Sequence, residues 1–77
     1  MPEDFKQKLK ELKDLAFQLE MMNPNGRTVH AKANLMSMVT IFSYLEKDLN
    51  FVPTEYHYEA LDRSVTNIRK FIKENRT

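Results

Sequence analysis

The sequence predicts an all-α fold, an up-down-up antiparallel three-helix bundle that self-associates, and three observations carry the prediction. The only glycine and all three prolines stand where helices should begin or end. Apolar residues recur at helical steps of three and four through each of the three stretches between those breaks. The middle stretch is apolar around most of its circumference, which is more than a helix with one face in water requires.

The first helix is expected over about residues 3–22. Pro2 fits a first helical turn, where its missing N–H has no bond to make. Phe5, Leu9, Leu12, Ala16 and Leu19 then recur at steps of four, three, four and three, with Leu15 and Met22 beside the seam. Phe17 is off that seam, about 140° round from Leu12 on a helical wheel. It belongs either to a broad stripe or to a contact with a partner.

Asn23-Pro24-Asn25-Gly26 is a dense turn signal, and Thr28 is placed to cap the next helix. This second helix is expected over about residues 29–50, with a seam of Leu35, Met38, Phe42, Leu45 and Leu49. Met36, Val39, Ile41 and Tyr44 occupy much of the remaining circumference, and between Leu35 and Leu45 only Ser37, Thr40 and Ser43 interrupt. Those three are small enough to let a facing helix approach closely. Contiguous apolar surface on a small domain marks interaction sites. The alternative is a central helix sandwiched between its own neighbours, with scattered apolar exposure of the ordinary kind.

Val52-Pro53-Thr54-Glu55 breaks the chain again, with Thr54 as the next cap and Glu55 favourably placed at a positive helix end. In the third helix, about residues 55–75, Tyr58, Leu61, Val65, Ile68 and Ile72 repeat at three, four, three and four. Connections this short favour antiparallel neighbours. Residues 1–77 therefore read as one helical domain.

A chain of 77 residues leaves a thin stability margin, since domains near this size bury only about 60% of the surface their unfolded form exposes. Small scaffolds add disulfides, a metal or oligomerisation, and with no cysteine the first is excluded. Twelve basic and eleven acidic side chains nearly cancel, so no strong overall field draws nucleic acid or membrane. The N-terminal stretch is charged and lacks an apolar signal core, and no uncharged run is long enough to span a bilayer. A cytoplasmic protein with no membrane partner is expected.

Catalysis finds no foothold in the residues. His30 and His57 fall at opposite ends of an up-down-up bundle, and no His-x-x-x-His or Glu-x-x-His pair exists. Ser37, Ser43 and Ser64 stand mid-helix without a histidine one turn away. Acidic residues pair with basic ones along exposed faces, Asp4 with Lys8 and Glu59 with Arg63. Neither an enzyme nor a cofactor or metal is expected.

The expected function is that of a small protein–protein interaction or regulatory module: an adaptor, inhibitor or assembly factor. Met36, Val39, Ile41 and Tyr44 would form the contact, with Phe17 as an extension, against another protein or a second copy in a homodimer. The alternative is a small dimeric DNA-binding regulator using the basic end of the third helix, where Arg69, Lys73 and Arg76 line one face. Cations there also complement the helix dipole, which accounts for them without nucleic acid.

Overall fold

The computed structural model describes residues 1–23, 26 and 28–75. Three helices form, α1 (Glu3–Glu20), α2 (Val29–Lys47) and α3 (Glu55–Asn75), and they pack against one another as a three-helix bundle. Polar pairs fix their directions. Asp4, Lys8 and Glu11 meet Tyr58, Asp62 and Arg69 respectively, so α1 and α3 run parallel. Lys13 meets Glu46 and Lys32 meets the carbonyl of Glu20, so α2 runs against α1. The bundle is long and narrow, with extents of 39 × 19 × 17 Å.

The core is chiefly a seam between α1 and α3. Phe5, Leu9, Leu12, Ala16 and Leu19, every residue of the predicted α1 stripe, are buried against Leu61, Val65, Ile68 and Ile72. Their spacing puts one apolar face on each helix, and each face finds the other. Phe5 is the aromatic hub, with ring centroids of Phe42, Phe51 and Tyr58 at 6.4, 6.0 and 5.1 Å. These tilted and edge-on arrangements are the favourable ones for aromatic rings.

Helix ends are held by side chains. The Thr54 backbone N–H donates to His57 Nδ1 at 2.9 Å, and the Thr54 hydroxyl lies 2.9 Å from the same nitrogen. The bond to the backbone is the returning half of a capping box, with imidazole in the place of the usual Glu. At the other end of the bundle, the α1 C-terminus has no basic residue of its own in its last turn. Lys32 of α2 supplies the cation, donating to the carbonyls of Glu20 and Met22 at 3.2 and 2.9 Å.

Several expectations are corrected. α1 stops two residues short of the predicted end and α2 three short. Asp48 ends α2, its carboxylate accepting the Asn50 N–H at 2.9 Å in an Asx turn. Leu49 therefore leaves the helix before reaching the seam, and at 98% it is almost wholly exposed. Asp4 accepts the Tyr58 hydroxyl at 2.8 Å and Lys8 pairs across to Asp62, in place of the Asp4–Lys8 pair expected within the helix. The Pro24-Asn25 centre of the first turn lies outside the described residues.

Candidate protein-interaction face

α2 is the helix with the most apolar residues and the fewest buried ones. Only Val39 and Phe42 are buried, while Leu35, Met36, Met38 and Leu45 are half-buried against the core. At 3.6 residues per turn these six fill one broad side, because a helix lying against two neighbours faces both. The opposite side carries Ala33, Asn34, Ser37, Thr40, Ile41 and Tyr44, all exposed.

That outward side is electrically bare. No charged residue falls between Lys32 and Glu46. Two of its hydroxyls are already occupied: Ser37 donates to the carbonyl of Ala33 and Thr40 to that of Met36, each at 3.0 Å. Ser43, nearer the core, donates to Val39 at 2.9 Å. A hydroxyl bonded back one turn needs no outside acceptor and presents mostly its carbon. The face therefore behaves as apolar, with Ile41 51% and Tyr44 70% exposed. Lys47 bounds it, its ammonium 5.9 Å from the centre of the Tyr44 ring.

The structure brings together only part of the predicted contact. Ile41 and Tyr44 share the outward side. Val39, at 8% exposure, belongs to the core, and Met36 packs half-buried against it. The inward arc of α2 is wider than the five-residue seam and includes both. Phe17 is 66% exposed but does not extend this face. It lines an open groove of about 500 Å³ with Met21, Met22, Ile72 and Asn75, where the C-terminal ends of α1 and α3 meet. The predicted contact leaves out Ala33, which stands one turn before Ser37 on the outward side.

On α3, Arg69 is engaged by Glu11 of α1, and Lys70 lies 4.0 Å from Glu74. Lys73 is exposed. Arg76 lies outside the described residues. Among the described residues no cluster of three or more His, Asp or Glu side chains is arranged to hold a metal ion, and no helix is long and apolar enough to cross a membrane.

Comparison with protein-family models, with curated proteins and with solved structures gives no match to this chain.

Proposed function

We propose that the chain is a small non-catalytic interaction module, an adaptor, inhibitor or assembly factor acting in the cytoplasm. It works by laying the outward side of α2 on a protein surface. The observation that supports this is the uncharged stretch from Ala33 to Tyr44, with the Ser37 and Thr40 hydroxyls internally bonded and Ile41 and Tyr44 in water. Such a face gains from burial against another apolar surface and has no buried charge to compensate. Its chemistry is helix-face packing, with the charged residues around it setting orientation.

The rival proposal, a DNA-binding regulator using Arg69, Lys73 and Arg76, draws less support because Glu11 already engages Arg69. A photo-crosslinking residue at Ser37, in cells that make the chain, tests the interaction reading. Protein adducts are expected from position Ser37 and not from Asp14, which is exposed on α1. No protein adduct at Ser37, with the chain folded, contradicts the reading.

A further inference from the structure

We infer that the first turn of α3 is a pH-sensitive clasp. With His57 neutral the Thr54 cap is closed, and with His57 protonated it opens.

The acceptor sets this behaviour. In the usual capping box Glu or Gln reaches back to the backbone N–H of the cap residue, and either accepts at neutral and mildly acid pH alike. Here the Thr54 N–H donates instead to His57 Nδ1, at 2.9 Å. An imidazole nitrogen accepts only through a lone pair, so the bond requires Nδ1 bare and the ring hydrogen on Nε2. In that state the Thr54 hydroxyl, 2.9 Å from the same nitrogen, donates to it as well. Protonation places a hydrogen on Nδ1. The hydroxyl can turn round and accept it, but a backbone N–H cannot reverse and is left facing a donor.

An imidazolium is also badly placed here. The first turn is the positive end of the helix dipole, which suits the usual carboxylate and opposes a cation. At this end of the bundle α3 carries Glu55, Tyr56 and Tyr58, α1 brings Glu3, Asp4 and Lys6, and α2 ends in Glu46, Lys47 and Asp48. Asp4 accepts the Tyr58 hydroxyl, Lys6 lies 3.9 Å from Glu3, and Asp48 accepts the Asn50 N–H. Glu46 pairs with Lys13, and Lys47 lies over Tyr44. Among the described residues no carboxylate forms an ion pair with His57, so none holds the charged ring in the cap.

Opening reaches beyond the cap. The half-buried His57 ring meets Phe51 edge-on, with centroids 4.8 Å apart at 83°, and Phe51 packs on the Phe5 hub at 6.0 Å. Charge draws the ring toward water, and Phe51 then loses that neighbour. Leu61, Val65, Ile68 and Ile72, further along α3, stay buried in the core. Acid therefore loosens the connection ahead of α3 and its first turn while the bundle stays folded. A bond that needs the neutral ring contributes fully above the range in which histidine takes up its proton, about pH 8 to 5, and is lost as pH falls through it.

Nuclear magnetic resonance of the full chain, titrated from about pH 8 to about pH 5, tests this. At the upper end the His57 nitrogen shifts should report hydrogen on Nε2 alone. As His57 protonates, exchange protection at the Thr54 amide, corrected for the intrinsic effect of pH, should fall about fivefold. Amides from Leu61 to Ile72 should keep theirs. His57→Gln should hold the cap across the whole range, and His57→Ala should lack it throughout. Hydrogen on Nδ1 at the upper pH, or Thr54 protection that stays constant as the ring protonates, overturns the inference. So does a loss of protection that persists in His57→Gln, because the sensitive group then lies elsewhere.

Discussion

The α1–α3 pair and α2 solve the burial problem differently. α1 and α3 alternate apolar and charged residues, and nearly every residue of each apolar stripe is buried. α2 is apolar on most sides and buries two of its nineteen residues fully. Burial is therefore not a simple readout of how apolar a helix is. It depends on how much neighbouring surface the fold can supply. Two narrow stripes cover most of one another, with Val39 and Phe42 of α2 completing the core, whereas the third helix leaves its far side bare. That difference locates most of the core in one pair and leaves exposed apolar surface on the remaining helix.

The largest expected effects come from the core. Phe5→Ala removes a fully buried ring that packs on Phe42 of α2, Phe51 of the following connection and Tyr58 of α3. It should cost about 3–5 kcal/mol in denaturant unfolding, most of what a domain of this size has in hand. Tyr44→Ala, at a residue 70% exposed, should stay within about 0.5 kcal/mol. A comparable loss from both would erase the contrast. Val39→Glu, an obvious choice if Val39 were on the contact face, should instead unfold the bundle, as loss of its helical circular dichroism would show, because it forces a charge into the core.

Lys32→Ala should come next, lowering stability by about 1 kcal/mol, because it removes the donor that closes the α1 C-terminus from α2. Faster hydrogen exchange confined to the end of α1 and the start of α2 is the signature to look for. The smallest effect concerns the α1–α3 side. The hydrogen bond to Asp4, with burial and the Asp4 charge adding to it, raises the Tyr58 phenol above its ordinary value. The folded state thus favours protonated Tyr58. That contribution is complete below the ordinary tyrosine value and is lost as pH rises from there through the raised value of the folded state. In an ultraviolet titration Tyr58 should ionise above the ordinary tyrosine range, and Asp4→Ala should bring it back toward that range.

Much of the fold is legible in the sequence because α1 and α3 are strongly periodic: the predicted stripes from Phe5 to Leu19 and from Leu61 to Ile72 are the buried ones. Periodicity serves α2 less well. When most positions are apolar, the pattern no longer says which side faces in, so it points Val39 and Met36 outward and Leu49 inward, the reverse of where they lie. Hydroxyl and methyl side chains add to the difficulty. Ser37 and Thr40 score as polar in sequence, yet their bonds to the carbonyls of Ala33 and Met36 make them part of a bare face. Cross-helix partners such as Lys32 with the Glu20 carbonyl and Arg69 with Glu11 join residues far apart in the chain. No helical spacing rule reaches them.

The central claim is that α2 lacks cover on its outward side. Hydrogen exchange of the unmodified chain, followed by residue, tests that most directly. Thinly covered elements open first, so α2 should exchange faster than α1 and α3. An α2 as protected as α1 and α3 would contradict the claim.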